Sequence, residues 1–449
     1  MRIKLPKTRA MLAGPGTRLY ADPTPSPDET SFQIDNTSAQ YYNSPYYLAH
    51  KDQVQPVPAP QSGVPAYLDL QDFVPTEILD AINSAGRITF HAVGDTGAAK
   101  GVPATAIANE AGVADAMTAD VQSGGVSGPA FFFHLGDVIY NFGEAQYYYD
   151  QFYEPFRDYD RPIFAIPGNH DGMVFGATSA TAQVPTLEAF LRNFCADAPG
   201  PSPDSGGLVR TVMTQPGVYF TLDAPYVSII GLYSNVLDSG AGVISSQGGK
   251  FPTVGNAQLA FLQSELKRLK PDRQAGNRAI IIAVHHPPAS VDAKHGGSVG
   301  VEKDLDTCCQ AAGLWPDVVL SGHAHLYQRF TRVVNGKQTP YVVSGSGGFA
   351  ATPPQGATPK APYTIGDTTL EVDPIVEFGY LTITTDAKTL SITFKTASNG
   401  VVTVRDSVNV DLTQAQIVSG THAPSGGSSK PKPAPAPPKK GKKKYAVRG

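Results

Sequence analysis

The sequence predicts an α/β fold with a helix-covered sheet and a second, more antiparallel sheet. Helix-like stretches alternate with short, almost entirely apolar strands over the first two thirds of the chain. The segment "GVYFTLDAPYVSIIGLYS" (217–234) is typical of a β-hairpin that turns at "DAP". Strict alternation of apolar and polar residues in "FGYLTITTDAKTLSITFKTASNGVVTVRDSVNV" (378–410) predicts antiparallel strands at the end.

The helix and strand patterns come in pairs along the chain. A helix-like stretch precedes each of four apolar strands, and the predicted pairs are 72–86 with 87–93, 103–122 with 130–135, 144–159 with 162–166, and 257–270 with 279–284. Strands that are apolar on both faces indicate a sheet covered by helices on its outer side.

Composition divides the chain into three segments. Residues 1–65 are rich in Pro, Ser, Asn and Tyr and are expected to form an extended arm; residues 66–415 form the folded domain, and residues 416–449 a flexible tail rich in Pro and Lys. The first twenty residues lack the apolar stretch of a signal peptide, and no later run is long and apolar enough to span a membrane. A cytoplasmic protein is the default expectation, with secretion by another route left open.

Charge and cysteine content limit the function classes. Eight basic residues and no acidic ones lie in 430–449, which leaves 27 basic against 39 acidic residues elsewhere. An acidic body disfavours nucleic acid as the main ligand, because Lys and Arg supply most of that affinity. The tail is expected to be a solvated appendage, with contact to an anionic surface as the alternative. The sparse cysteines Cys195, Cys308 and Cys309 predict buried thiols rather than disulfides or a zinc site.

Polar side chains follow every one of the short strands. In chain order they are Asp95, then Asp137 and Tyr140 in "GDVIY", Asn169 and His170 in "GNHD", His285 and His286 in "VHHPP", and His323 and His325 in "GHAH". Residues at the carboxyl ends of several strands converge on one crevice of an α/β sheet. Carboxylate, amide, imidazole and phenol groups are ligands for a pair of hard or borderline metal ions. The sequence therefore predicts a metal centre.

The motif order GDxG, GDxxY, GNHD, xxxH and GHxH resembles the calcineurin-like metallophosphoesterase superfamily, and within it the purple acid phosphatase branch. The similarity covers roughly residues 86–350, with Ile282 where the family usually has Val. Most of the superfamily has a His two residues after the first Asp, where this chain has Gly97. In the purple acid phosphatase branch a tyrosine of the second motif supplies the missing ligand, and Tyr140 stands at that position.

The resemblance implies a fold and two metal sites. The fold is α/β, with two mixed β-sheets packed as a sandwich flanked by helices, and residues 66–415 are its catalytic domain. Fe(III) would be bound by Asp95, Asp137, Tyr140 and His325. A divalent Zn, Mn or Fe would be bound by Asp137, Asn169, His285 and His323, with Asp137 as the bridge.

The resemblance also implies a reaction, the hydrolysis of phosphate monoesters by in-line attack of a metal-bound hydroxide on phosphorus. His170 is expected to donate to the phosphoryl group, and His295 in "DAKHGG" to protonate the leaving oxygen. His286 is expected to lie beside the ligands without binding metal. Alternatives with the same centre are a phosphodiesterase or nucleotide pyrophosphatase; a further alternative is a non-catalytic surface-binding protein that retains the fold.

Three other features are interpreted as structural. His91 and His134 lie within apolar strand runs and are expected to be core histidines or neighbours of the site. The segment "VVSGSGGFA" is similar to a dinucleotide-binding fingerprint, but "TPPQGATPK" follows it and cannot open the required helix. The aromatic run "YYYDQFYEPF" predicts a packed helix face rather than a platform for stacking bases.

Overall fold

The computed structural model describes residues 18–20, 57–97, 104–140, 142–172, 175–176, 183–184, 187–234, 242–246, 254–356 and 360–422. Most of the predicted arm and the tail from residue 423 lie outside these ranges. The α-helices of the described residues are α1 (Thr76–Ala85), α2 (Ala104–Gly124), α3 (Glu188–Phe194), α4 (Ala257–Gln274) and α5 (Val299–Ala312). None of them has the length and apolar character needed to cross a membrane.

The described residues also form eighteen strands. They are β1 (Tyr67–Asp69), β2 (Ile88–Val93), β3 (Phe132–His134), β4 (Ile163–Ala165), β5 (Phe175–Gly176), β6 (Gln183–Val184), β7 (Phe220–Ala224), β8 (Val227–Leu232), β9 (Ala279–Val284), β10 (Val318–Ser321), β11 (Tyr327–Val334), β12 (Lys337–Ser344), β13 (Tyr363–Ile365), β14 (Thr368–Leu370), β15 (Gly379–Thr385), β16 (Thr389–Ser398), β17 (Val401–Asp411) and β18 (Gln416–His422).

Two large mixed sheets contain nearly all of these strands. The order in the nine-stranded sheet is β1-β7-β8-β9-β10-β12-β11-β14-β13, and in the seven-stranded sheet β18-β17-β16-β15-β2-β3-β4. Strands β2, β3 and β4 run parallel, as do β8, β9 and β10. The predicted fold class, two mixed sheets in a sandwich with flanking helices, is confirmed.

The two sheets pack closely at their centre. Gly231 of β8 faces Phe133 and Ile166 of the other sheet, and a Cβ atom at this glycine would lie only 2.7 Å from Cγ2 of Ile166. A glycine within a strand often marks such an approach, because it has no side chain to separate the layers. On the outer face of the nine-stranded sheet, apolar side chains of α4 and α5 cover β9, whose six residues are all fully buried.

The C-terminal antiparallel strands differ from the expectation in one respect. The sequence predicted them as a second sheet, but β15 pairs with β2, so that β15 to β18 extend the sheet that contains β2, β3 and β4. The nine-stranded sheet is instead built from the hairpin β7–β8, strands β9 and β10, and the hairpin β11–β12, with β1 at one edge and β14 and β13 at the other. Sequence periodicity indicates that a strand exists, whereas its partner depends on side chains far away in the chain.

A second difference concerns the aromatic segment 144–159, which was predicted to be a helix. It contains a 3-10 turn at Ala145–Tyr147 followed by a π-helical turn at Tyr149–Tyr153. The aromatic side chains are buried as expected, with Tyr148 and Phe156 completely inaccessible. π-Helical turns are frequent near functional sites, and this one carries Gln151, whose role is described below.

The predicted domain boundaries remain a prediction, because most of both end segments lies outside the described residues. Strand β18 continues the sheet past residue 415 to His422. Of the arm, Leu19 exchanges hydrogen bonds with Thr211, and the buried guanidinium of Arg210 donates to the Tyr20 carbonyl oxygen. The three cysteines are free and buried, which confirms the expectation of buried thiols.

Candidate metal centre

All five sequence motifs meet where the carboxyl ends of the parallel strands of both sheets come together. Asp95 follows β2, the segment with Asp137 and Tyr140 follows β3, and Asn169 lies in the loop after β4. From the other sheet, His285 follows β9, and the loop after β10 carries His323 and His325. Two buried contacts connect the residues of one sheet to those of the other. The His323 N–H donates to Oδ2 of Asp95 over 2.8 Å, and Nδ1 of His285 lies 2.8 Å from the Leu135 carbonyl oxygen.

Three of these residues have an unusual backbone conformation. The φ angles of Asp95, Asp137 and His323 are 60°, 55° and 66°. Residues other than glycine seldom adopt the left-handed region, and such residues cluster at active sites because the surrounding structure compensates the strain. The sharp turns direct the two carboxylates and the imidazole into one buried space.

Side-chain atoms of three of the other implied ligands lie around the Tyr140 hydroxyl group. The hydroxyl oxygen lies 3.0 Å from Oδ1 of Asp95, 3.0 Å from Oδ2 of Asp137 and 3.3 Å from Nε2 of His325. Nε2 of His325 is also 3.3 Å from Oδ1 of Asp95. These are the four residues implied as ligands of the ferric ion, and the structure brings them together.

The residues implied as ligands of the divalent ion also lie around Asp137. Nε2 of His285 lies 3.3 Å from Oδ2 of Asp137, and ligand atoms of Asp137, His285 and His323 fall within 4.8 Å of one another. Nε2 of His323 and Oδ1 of Asn169 are buried without a hydrogen-bond partner among the described residues, and Nε2 of His285 has only the 3.3 Å contact with Asp137. Buried polar atoms normally have a partner, so a divalent cation that accepts these three atoms fits the site.

Electrostatics couple the two sets through Asp137. Burial works to raise the pKa of Asp137, but the neighbouring His285 and His170 outweigh it and hold the pKa well below its usual range. Burial works to lower the pKa of His285, yet Asp137 raises it to about 9. Burial and the two carboxylates raise the pKa of Tyr140. Without a cation the site therefore retains protons on the imidazole and the phenol, which metal binding would displace.

A network of hydrogen bonds holds the loops of the site in place. The carboxylate of Asp171, fully buried, accepts from the backbone N–H groups of Val138, Ile139 and Gly168, and so ties the loop after β3 to the loop after β4. Burial, with the nearby Asp137, raises the pKa of Asp171 to about 7. His134 lies beneath them, with Nε2 2.9 Å from the Thr96 hydroxyl and Nδ1 accepting from the Gly136 N–H.

Tyr140 itself is fixed by two residues that the sequence analysis missed. The side-chain amide of Gln151 accepts from the Tyr140 N–H and donates to its carbonyl oxygen, both over 2.8 Å. The ring of Phe349 stacks on the ring of Tyr140, with 3.5 Å between centroids. Phe349 belongs to the segment similar to a dinucleotide fingerprint, and neither residue has a sequence signal that points to the site.

The structure explains the glycine at position 97. A Cβ atom at Gly97 would collide with the Val138 carbonyl oxygen and approach Oε1 of Gln151 to 2.6 Å. The segment that delivers Tyr140 therefore occupies the space that a side chain at position 97 would need. The Tyr140 arrangement and a histidine at position 97 exclude each other.

The three histidines with implied catalytic roles also lie at the site. The His170 ring is 4.3 Å from the Tyr140 ring, and its backbone N–H donates to Oδ1 of Asp137. The rings of His286 and His295 lie 4.1 and 4.3 Å from the His323 ring. His286 is buried, with Nδ1 3.0 Å from the Ser234 hydroxyl. His91, which was expected to be a core histidine or a neighbour of the site, packs in the core with Nδ1 3.1 Å from the Tyr159 hydroxyl.

Comparison with protein families places the fold in a known group. The family model of the calcineurin-like phosphoesterases matches residues 88–327, more than half of the chain. The chain belongs to the calcineurin-like phosphoesterase family. The matched range of this phosphoesterase contains every residue of both implied metal sites, and its last residue, Tyr327, is the first of β11. A search of curated proteins found no match.

Solved structures similar to this phosphoesterase are distant. Purple acid phosphatase PPD1 from yellow lupin is 16% identical with a TM-score of 0.46, and the match covers 72% of this chain and 54% of the lupin chain, about half its length. GAP50, the anchor in the inner membrane complex of Plasmodium, is 13% identical with a TM-score of 0.47, over 71% of this chain and 88% of its own. PhoD is 14% identical with a TM-score of 0.45, over 82% and 74%. Likenesses this distant carry no argument about chemistry.

We predict that Gly97→Ala destabilises the phosphoesterase by roughly 1–3 kcal/mol, because the added methyl group collides with rigid backbone. Chemical denaturation monitored by circular dichroism measures the change. Gly112→Ala is the matched control. An added Cβ at this helical glycine has no atom within 4 Å, and Ala favours a helix over Gly by about 0.5–1 kcal/mol, so this variant should not be destabilised. Equal unfolding midpoints for Gly97→Ala and the wild type would show that position 97 has room for a side chain.

Proposed function

We propose that the chain is a binuclear metal-dependent hydrolase of phosphate monoesters, of the purple acid phosphatase type. The observation that carries the proposal is the position of the Tyr140 hydroxyl, between two carboxylates and His325. A phenolate is a hard ligand suited to Fe(III), whereas the adjacent set of imidazole and amide donors suits a divalent Zn, Mn or Fe. A metal pair bound here would supply Lewis acidity and lower the pKa of a coordinated water.

The residues around the donors would orient and protonate the ester. The backbone N–H of His170 bonds to Asp137, and the His170 ring packs on Tyr140. These contacts fix the imidazole at the edge of the site, where it would donate to a phosphoryl oxygen. His295 would pass a proton to the leaving oxygen while the P–O bond breaks and the electron pair of that bond moves to the oxygen. A general acid of this kind raises the reaction rate by about 10²- to 10⁴-fold. His286 would hold the orientation of the neighbouring His323 by packing.

Two alternatives follow from the same residues. A phosphodiesterase or nucleotide pyrophosphatase would use the same donors and differ in the pocket for the leaving group. A non-catalytic surface-binding protein is less favoured, because such a protein has no need of seven intact donors or of buried, unpartnered ligand atoms. An assay of phosphate mono- and diesters from pH 4 to 9, with metal analysis of the same sample, separates the three.

We predict that Asp137→Ala removes both metal ions, whereas Asn169→Ala removes mainly the divalent one. Oδ2 of Asp137 faces both donor sets, while Asn169 belongs to one. Elemental analysis of the purified variants gives the metal content, and Asp272→Ala, at a half-exposed carboxylate near the end of α4, is the control. Equal losses of both metals in the two site variants would contradict the assignment of Asp137 as the bridge.

A visible absorption band is expected for the iron-loaded protein, because a phenolate bound to Fe(III) transfers charge to the metal on absorbing light. Tyr140→Phe retains the ring and its stacking on Phe349 but removes the donor oxygen, so the band should disappear while the far-ultraviolet circular dichroism stays the same. Tyr159→Phe, a buried tyrosine at His91, should keep the band. A colourless ferric wild type would place the chain outside the purple acid phosphatase type.

We further propose that the basic tail binds an anionic lipid surface. Strand β18 runs antiparallel to β17, from Gln416 opposite Asp411 to His422 opposite Asp406, and so points toward the amino-terminal end of β17. At that end Val401, Val402 and Val404 are 63%, 44% and 50% exposed. Basic residues attract anionic headgroups, and exposed valines favour the bilayer interface over a nucleic acid, which offers no apolar phase.

We predict that the full chain sediments with vesicles of phosphatidylcholine and phosphatidylglycerol but not with vesicles of phosphatidylcholine alone. Truncation after His422 should lower binding to the mixed vesicles at least tenfold. Val402→Glu with Val404→Glu should weaken binding severalfold, whereas Val126→Glu, at a valine exposed elsewhere, should not. Hydrolysis of small soluble esters should be unchanged by the truncation. Tail-dependent binding to RNA but not to the anionic vesicles would replace lipid by nucleic acid as the partner.

A further inference from the structure

The loop between β9 and α5 places His295 over the metal ligands and holds it by a buried carboxylate. The His295 ring lies 4.3 Å from the His323 ring and 5.5 Å from the His325 ring. Its Nδ1 is 3.1 Å from Oδ2 of Asp292, an ion-pair distance, although the N–H direction is not aligned with that oxygen. Asp292 is completely buried, while the side chain of His295 retains a small exposure of 6%.

The Asp292 carboxylate is itself held by the loop that it organises. Oδ2 accepts from the backbone N–H groups of Lys294 and His295, and Oδ1 accepts from the Gly296 N–H and the Ser290 hydroxyl, all within 3.0 Å. Burial works to raise the pKa of Asp292, but these bonds and His295 outweigh it and keep the pKa below its usual range. The carboxylate is therefore ionised and immobile, as an orienting group must be.

The loop is also anchored to the sheet that carries the other histidines. The side-chain amide of Gln328, on β11, accepts from the Val291 N–H and donates to the Ser290 hydroxyl. On the other side, the Ala293 N–H donates to the Pro353 carbonyl oxygen, and the Gln355 N–H to the Val291 carbonyl oxygen. The position of Asp292 is thus determined by two neighbouring segments and not by the loop alone.

We propose that Asp292 is a positioning residue for His295. The ion-pair contact of the carboxylate with Nδ1 orients the ring and keeps a hydrogen on that nitrogen, so that Nε2 is the nitrogen presented to the substrate. The protonated ring gives its Nε2 hydrogen to the leaving oxygen and is left neutral, with its remaining hydrogen on Nδ1. The inference rests on the proposed function, in which His295 protonates the leaving oxygen. Carboxylates orient imidazoles in this way in hydrolytic triads and metal sites, where loss of the carboxylate leaves the ring in the wrong tautomer.

The first test compares substrates with different leaving groups. A p-nitrophenolate leaves without help, whereas an alkoxide needs a proton. Asp292→Asn should lower kcat toward an alkyl phosphate by about 10- to 100-fold, but toward p-nitrophenyl phosphate by less than about threefold. Asp272→Asn is the matched control, because it makes the same change at a half-exposed carboxylate near the end of α4, and should change either rate by less than about twofold.

The second test asks whether Asp292 acts through His295. In a His295→Asn background, Asp292→Asn should have no further effect on the alkyl ester, since the group that it orients is gone. If the two losses multiply, or if Asp292→Asn slows both substrates equally, Asp292 has a structural role and the proposal is wrong. A circular dichroism melt of each variant confirms that the compared proteins are folded.

The third test does not depend on activity. Nitrogen-15 spectra of histidine-labelled, metal-free protein distinguish protonated from unprotonated ring nitrogens, and His295→Asn identifies the signals of this residue. Nδ1 of the neutral ring should carry the hydrogen in the wild type and lose that preference in Asp292→Asn. An unchanged spectrum would overturn the proposal. A wild type that hydrolyses no ester but shows the expected tautomer would refute the proposed function and leave the Asp292 orientation intact.

Discussion

The site depends on one carboxylate, that of Asp137, which lies between the two donor sets. Oδ2 of Asp137 faces the Tyr140 hydroxyl on one side and Nε2 of His285 on the other, while Oδ1 accepts from the His170 N–H. Its left-handed backbone is possible because the neighbouring loops leave room at two glycines: a Cβ at Gly136 would approach Nδ1 of His285 to 2.6 Å, and one at Gly168 would collide with Asp137 itself. A single substitution at Gly136, Asp137 or Gly168 would therefore displace residues of both donor sets.

The chemistry of the donors is divided between the sheets. All the oxygen donors, Asp95, Asp137, Tyr140 and Asn169, follow strands of the seven-stranded sheet, and all the nitrogen donors, His285, His323 and His325, follow strands of the nine-stranded sheet. A metal bound by both groups would link the two layers of the sandwich. Because a ligand that binds only the native state stabilises it by mass action, metal content and sheet packing are expected to depend on each other.

That the implied ligands would lie together could be predicted from the sequence, because each motif is local. A buried strand followed by a donor residue places that donor at the sheet edge, whichever strands are neighbours. The supporting residues could not be predicted in the same way. Gln151 lies in an aromatic segment and Phe349 in a glycine-rich one, and both reach Tyr140 only through tertiary packing. Asp292 lies three residues before His295 in "DAKHGG", but the sequence analysis assigned it no role.

The pairing of β2 with β15 has a consequence for the order of events during synthesis. β2 ends two residues before Asp95, whereas its antiparallel neighbour β15 begins only at Gly379, much later in the chain. Until that strand leaves the ribosome, one edge of β2 has no partner and offers free backbone groups to any other extended chain. The strand that positions Asp95 thus waits for β15, and pairing between strands so far apart in the chain is slow and exposes nascent chains to aggregation. Chaperone demand in the cell is therefore expected to last until β15 has been translated, although the segment from Gly379 to His422 contains none of the implied metal ligands.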